Sequence, residues 1–475
     1  MQKLIPTIGI EVHVELKTNS KVFSNSQNSY GEIANIKTNI IDLGYPGTLP
    51  ILNKEVIDAT IKIALALNCK IQREMYFDRK NYFYPDLPKG FQITQSSTPL
   101  GYDGYIEIEV SGKKKRIGIE RVHIEEDTCK SIHDKEKTLL DFNRAGIPLV
   151  EIVTKPVIEN ENETIIYLEK LRELLLYIGV SDVKIEEGSM RCDANISLKE
   201  EDSAILGTKT EIKNIGSISN VKSSIIYEIE RQKTFINNGS LIREETRRYD
   251  EKTGTTILMR VKETINDYRY FPEPDIPYIK IDDQWIKEIE QEMPILPDEL
   301  RKKYKELKIN DISINTLIQN KDLSHFFSRI VEMGANPVIS SNLLTGDVLA
   351  YLNKHNINIG STKLNDNSFK ELVDMLAKNI ISSKIGKEVL RELLINGGTA
   401  ELILGKNKIE QINDFNELLK IVSLVIENNP ESIVDYKKGH DRALKHLMGS
   451  IMKESKGQAN PLMVKEILID ELKKR

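Results

Sequence analysis

Glu11 and His13 stand in Thr7–Lys17, a run in which apolar and polar residues alternate: Ile8, Ile10, Val12, Val14 and Leu16 against Glu11, His13 and Glu15. On a strand, residues i and i+2 project to one face about 6.5–7 Å apart. An imidazole beside carboxylates at that spacing can begin a divalent-cation site, and oxygen-rich donors favour magnesium. The plain alternative is the solvated outer face of a sheet. Glu125 and Glu126 follow a second strand-like run, Ile117–Ile124. Strand neighbours face opposite ways, so only one of them joins Glu11 and His13 unless a bulge intervenes. Glu151 lies inside the apolar run Pro148–Lys155, where an unpaired carboxylate is costly. A lone buried acid is ordinarily matched by Arg or Lys, whereas several acids arriving from separate strands with one His suit a shared metal cage. Asp193, in the alternating stretch Arg191–Ser197, and Glu211 fit the same description. Arg191, Lys209, Lys213, Arg260 and Lys262 can bind phosphates, neutralise these acids, or do both.

These groups need strands to carry them. Residues 1–292 are rich in strand patterns, with Arg260 and Lys262 expected opposite Ile257, Met259 and Val261. Two helical periods interrupt them: Glu161–Ile178, with Gly179 placed to stop it, and a segment from about Asn220 to Ile236. Antiparallel pairing is expected rather than a Rossmann sheet, because no GxGxxG occurs. Nor is there a GxxxxGK[ST] loop, a GxSxG elbow or a cysteine tied to a histidine, so any ATP must be held without a Walker loop. Near Pro294–Pro297 the pattern turns helical, and Pro297 followed by Asp298 and Glu299 opens a helix well. Gly397-Gly398 and the polar stretch 405–408 mark a second boundary. The expected organisation is an α+β domain at 1–292, a helical domain at 293–408 and a small all-helical tail at 409–475.

Composition narrows the function classes. With 40% hydrophobic and 29% charged residues the chain supports a sizeable core. Its 67 basic and 72 acidic residues leave a net charge of −5, which argues against non-specific wrapping of nucleic acid. A local basic patch stands apart from this: Tyr436–Lys456 holds Lys437, Lys438, Arg442, Lys445, Lys453 and Lys456 against Asp441 and Glu454. By itself such a cluster reads as a solvated helix pair. Cys69, Cys129 and Cys192 lie far apart and form neither a CxxC pair nor a disulfide framework, so a reducing cytoplasm is the simplest setting. No apolar run approaches the roughly 20 residues that span a bilayer. Met1–Pro6 runs straight into a strand pattern, which leaves no room for a signal peptide.

Longer strings identify a family. IGIEVHVELKT at Ile8–Thr18, FDRKNYFYPDLPKGFQITQ at Phe77–Gln95, EGSMRCDANIS at Glu187–Ser197, EIKN at Glu211–Asn214 and DYRYFPEPD at Asp267–Asp275 resemble the B subunits of the tRNA-dependent aspartyl/glutamyl amidotransferases. In the tail, YKKG at Tyr436–Gly439 and GSIMKESKGQANP at Gly449–Pro461 resemble the family's C-terminal helical module. The resemblance implies a cradle-shaped first domain of glutamine-synthetase-like fold, followed by a helical linker domain and a tRNA-contacting tail. It implies a ligase reaction in which ATP and magnesium convert the side-chain carboxylate of Glu-tRNA(Gln) or Asp-tRNA(Asn) to an acyl phosphate, and ammonia then forms the amide. A partner glutaminase (A) subunit would supply the ammonia through a polar tunnel, and a small C subunit would clamp the two. Carried over residue by residue, the metal ligands are His13, Glu126 and Glu151, with Glu11, Asp193 and Glu211 as nearby catalytic acids. Lys80, Asn81, Lys89, Arg191, Lys213 and Arg260 become candidates to touch nucleotide or substrate. The basic tail residues become tRNA contacts. No zinc is expected, since the paired-cysteine knuckle of some members is missing. No room exists for the extra domain of the archaeal glutamyl-specific relative, so a bacterial or organellar heterotrimer is implied. Gly216 and Ile218 depart from the family pattern at a pocket wall, as does Lys445–Met448 in the tail. A tRNA-binding scaffold without its own kinase chemistry is the alternative reading.

Overall fold

The computed structural model describes residues 3–474, apart from 30–32, 135, 186, 214, 262–267, 407–411, 413 and 438–440. The chain divides into two units, Met1–Leu296 and Pro297–Arg475. The second boundary expected near 409 lies outside the described residues.

The first unit is built on a nine-stranded sheet. Its five central strands are β1 (Leu4–Glu15), β2 (Lys113–Glu126), β3 (Pro148–Thr154), β4 (Met190–Glu200) and β5 (Thr210–Lys213), in spatial order β5-β4-β1-β3-β2. All of these central pairings are antiparallel. One parallel pair follows, between β5 and Glu245–Asp250. The alternation in β1 sets which face is dry: Ile8, Ile10, Val12 and Val14 are all essentially inaccessible to solvent. Burying each such side chain contributes about 1.5–3 kcal/mol. A one-residue slip would turn them to the other face, so burial fixes the register and with it the placement of Glu11 and His13.

Among the described residues four helices take part in the same core: α1 (Lys54–Ala66), α2 (Glu161–Ile178), α3 (Ile218–Asn237) and α4 (Asp283–Glu292), through residues such as Ile61, Leu171, Ile225 and Ile286. Local signals set their ends. The Asn160 side chain accepts from the Glu163 amide at the start of α2, and Gly179 adopts φ 76° to stop it, a left-handed conformation that glycine takes without steric cost. Ser217 caps α3, which therefore begins at Ile218, ahead of its expected start near Asn220. The outermost strand, Thr255–Val261, departs from expectation. Ile257 and Met259 are exposed there, whereas Thr256 on the same strand is buried and donates to Glu228 of α3 at 3.1 Å, so the face covered by α3 is the one opposite these two apolar residues.

A small sheet of Asp78–Asn81, Phe91–Thr94 and Phe271–Pro272 flanks the end of β2. The second unit is helical. Its first helix, Pro297–Glu306, starts at the proline, with Asp298 and Glu299 in its first turn. Within this unit a separate core gathers Leu418, Val422, Ile426, Leu447, Ile451 and Leu468. Among the described residues no helix is long and apolar enough to cross a membrane.

Candidate active site on the polar sheet face

The polar face of the central strands is arranged in rows by the register. One row runs Arg191, His13, Glu151, His123 across β4, β1, β3 and β2. Glu151 therefore lies between two imidazoles: its Oε2 is 3.5 Å from His13 Nε2 and 3.4 Å from His123 Nε2. Arg121 approaches Oε1 at 3.7 Å. The expected match of Glu151 with Arg or Lys is thus made mainly by histidines. Oxygen donors stand on both sides of the row. Glu11, at 3.6 Å from His13, completes one potential cation-binding group with His13 and Glu151, and Glu125 completes another with His123 and Glu151.

Electrostatics within the row follow from burial and proximity. Burial works against charge on His13, but the hydrogen bond and charge of Glu151, helped by Glu125 and Glu11, push the imidazole up to about 9. Burial also opposes charge on Glu151, yet His123 and His13 hold it well below the usual carboxylate range. Glu11 moves the other way, raised by burial and by the nearby charge of Glu151. A protonated His13 is thus the internal counter-charge of three acids. A hard divalent cation among these oxygen donors would take over that role, which is the sense in which the residues fit magnesium.

Glu126 is not part of this cluster. The resemblance groups it with His13 and Glu151, but alternation along β2 turns it to the opposite face, and Glu125 takes the place beside Glu151. The bulge in the β2–β3 ladder lies further along, opposite Val153 and Thr154, and does not bring both acids to one side. The Glu126 carboxylate instead accepts from the Ile93 amide at 2.9 Å and pairs with Lys89. It lines a cavity of about 200 Å³ together with Lys89, Arg79, Phe23, Phe91 and Glu273. Arg79 in that wall is fixed by two hydrogen bonds to Glu273, of 2.6 and 2.9 Å. Two adjacent residues of β2 thus meet different partners on opposite faces of the strand.

The other candidates sort by position. Lys80, on Asp78–Asn81, is 3.8 Å from Glu125. Burial disfavours its charge, but Glu125 outweighs burial and raises the ammonium above its ordinary range. Asn81 is spent on structure, its amide donating to the Arg269 carbonyl at 2.7 Å. Asp193, the cross-strand neighbour of Glu11, forms an adjoining group with Glu211 and Lys213, with Lys213 2.7 Å from Asp193 and 3.0 Å from Glu211. Burial opposes the Lys213 charge and the two acids raise it. Here the neutralising role weighed for the bases is the one observed. Arg260 sits exposed on the edge strand, its Nε 3.4 Å from Thr246 Oγ1. Lys262 lies outside the described residues. In the tail, Lys437, Arg442, Lys445, Lys453 and Lys456 are exposed, and Lys438 lies outside the described residues. Arg442 and Lys445 share the helix Asp441–Glu454 with Ala443, Leu447 and Ile451, which are buried.

Sequence reasoning missed His123. The signal is present: His123 and Glu125 repeat the i, i+2 spacing of Glu11 and His13, but the apolar alternation of that strand stops at Ile124, between them.

Comparison with known proteins gives concordant matches. A family model described as the GatB/GatE catalytic domain matches residues 6–287, and one described as the GatB domain matches residues 325–472. The B subunit of the aspartyl/glutamyl-tRNA(Asn/Gln) amidotransferase of Bacillus pumilus is 51% identical over 470 residues, which cover 98% of this chain and 99% of that protein. The proteins of the same description from Bacillus licheniformis and Geobacillus thermodenitrificans are 50% and 49% identical over the same length and coverage.

Proposed function

The chain belongs to the GatB/GatE family, and on that premise we propose that it is the amidotransferase subunit that activates the side-chain carboxylate of a mischarged tRNA. The substrates are Glu-tRNA(Gln), Asp-tRNA(Asn) or both. The observation that carries this reading is the buried Glu151 between two histidines, with Glu11 and Glu125 on either side. An ionised carboxylate is a poor electrophile. ATP converts it to an acyl phosphate, and ammonia displaces the phosphate. In phosphoryl transfer the protein chiefly positions groups and balances charge. Magnesium, when bound, supplies compensation for the phosphate oxygens. His13 and Glu151 would hold it, with Glu11 on one side and Glu125 and His123 on the other. Lys80 is placed to meet an anionic substrate next to Glu125. A sheet with carboxylates and imidazoles on one face suits the glutamine-synthetase-like reading of the first domain.

Ammonia comes from a partner glutaminase subunit, with a small third subunit clamping the pair. The cavity walled by Lys89, Glu126 and Arg79 has the charged lining that suits passage of a small polar molecule. The direct test is ATP hydrolysis and amide formation by the reconstituted complex, with and without mischarged tRNA. ATP hydrolysis stimulated by mischarged tRNA supports the kinase reading. Binding of tRNA with no stimulated hydrolysis would leave the scaffold reading standing instead.

The tail, residues 409–475, contacts the tRNA in this proposal. Its exposed lysines suit phosphate contacts on a folded RNA whose deep major groove side chains cannot read. Lys437→Glu with Lys445→Glu is expected to weaken tRNA binding and flatten its salt dependence, by about 0.7–0.9 in the log–log slope for each phosphate no longer neutralised. Affinity measured across a salt series decides this; identical affinities and slopes would reduce the cluster to a solvated surface.

A further inference from the structure

At one end of the His13 row lies a second charged group, outside the cation-binding residues. Asp127, the residue after β2, is 7% exposed, and its backbone is held at both ends: its N–H donates to the Ile147 carbonyl at 2.9 Å and its carbonyl accepts from Gly146 at 2.9 Å. Its Oδ1 accepts from the Thr128 amide. Its Oδ2 receives two guanidinium groups at once, from Arg144 at 2.6 Å and Arg191 at 2.7 Å. Arg144 also approaches Glu15 at 3.7 Å. Glu15 is two residues beyond His13 on β1, and Arg191 is the cross-strand neighbour of His13 on β4.

These four charges sum to zero, so the ion pairs alone need no ligand. The hydrogen-bond inventory is another matter. A guanidinium carries five N–H donors. Among the described residues Arg191 makes one hydrogen bond, to Asp127, and its Nε is buried without an acceptor. Two guanidinium groups meeting on one carboxylate oxygen also repel each other. An oxyanion entering between them would satisfy unused donors of Arg191 and offset that repulsion, and guanidinium geometry matches carboxylate and phosphate alike.

We propose that Asp127 is a positioning residue that holds Arg144 and Arg191 side by side as a clamp for one oxyanion of the reaction, either a phosphate of ATP or the side-chain carboxylate being activated. The proposal rests on the functional reading above and adds to it two residues, Asp127 and Arg144, that neither the sequence nor the family match brought forward. Asp127 acts through the arginines and does not itself touch substrate.

The test uses Asp127→Asn, Asp127→Glu and Arg191→Gln, made separately so that a folding defect in one leaves the others. In the reconstituted complex, KM for ATP, KM for mischarged tRNA and kcat are measured. On the full chain alone, affinities for tripolyphosphate and glutarate are measured by calorimetry. A rise of about tenfold in one KM, with kcat changed less than threefold and a matching loss of affinity for one probe, supports the clamp. ATP with tripolyphosphate identifies phosphate, and tRNA with glutarate identifies carboxylate. Partial recovery in Asp127→Glu supports positioning. A fall in kcat with both KM values and both probe affinities unchanged overturns it, as does wild-type behaviour of Asp127→Asn and Arg191→Gln. The probe measurements need no turnover. Wild-type complex without ATP-dependent amidation would therefore sink the functional reading, while the clamp would still stand or fall on the probes.

Discussion

Glu151→Gln is expected to lower ATP-dependent amidation by at least two to three orders of magnitude. One carboxylate serves both groups of potential ligands, so its loss reaches His13 and His123 together. Removing a single preorganised electrostatic partner of a transition state costs about 10²–10³ in kcat. Glutamine preserves shape and removes charge, which makes the change cleaner than alanine. Glutamine hydrolysis by the partner subunit should fall far less, since that chemistry lies elsewhere. The measurement is amidation of mischarged tRNA by the reconstituted complex at saturating magnesium, with thermal unfolding as the control for folding. His13→Ala should behave alike. Near-normal amidation by a folded Glu151→Gln complex would remove the acid–histidine row from the mechanism.

Glu125→Gln and Glu126→Gln are expected to fail in different ways, although the residues are adjacent. Glu125 belongs to the His123 group and sits 3.8 Å from Lys80. Its loss should lower amidation about 100-fold, whether glutamine or free ammonium supplies the nitrogen. Glu126 is paired with Lys89 in the cavity wall. Removing it strands a largely buried ammonium group, which destabilises on the scale of about 3–5 kcal/mol. If the cavity carries ammonia, added ammonium chloride should restore Glu126→Gln toward wild type and leave Glu125→Gln unchanged. Equal rescue of both variants, or of neither, would break the assignment of the two acids to separate tasks.

Much of the fold could be read from the sequence because its signals are local. The apolar stripe of Ile8–Leu16, the helix from Glu161 closed by Gly179 and the proline at 297 each depend on a few neighbouring residues. The cluster was partly readable for the same reason. Alternation places Glu11 with His13, and the cost of burying a bare carboxylate marks Glu151. What escaped depends on register between strands distant in the chain. That His123 faces Glu151, and that Lys213 is shared by Asp193 and Glu211, are facts of cross-strand pairing. Alternation did say that Glu125 and Glu126 must part company. Only the ladder with β3 says which of them stands beside Glu151. Arg144 arrives from a loop and carries no periodic signal at all.

The parting of Glu125 and Glu126 constrains how such a protein can be inherited. One strand separates the cation-binding groups from the cavity, and consecutive codons furnish its two sides. Recombination cannot sort the two acids into separate genes, because any breakpoint outside that strand carries both of them together. An insertion or deletion of one residue in β2 that no bulge absorbs would turn both acids to the wrong faces at once. Change at this strand is therefore confined to one-for-one replacement of side chains, and its two faces must travel through descent as a single unit.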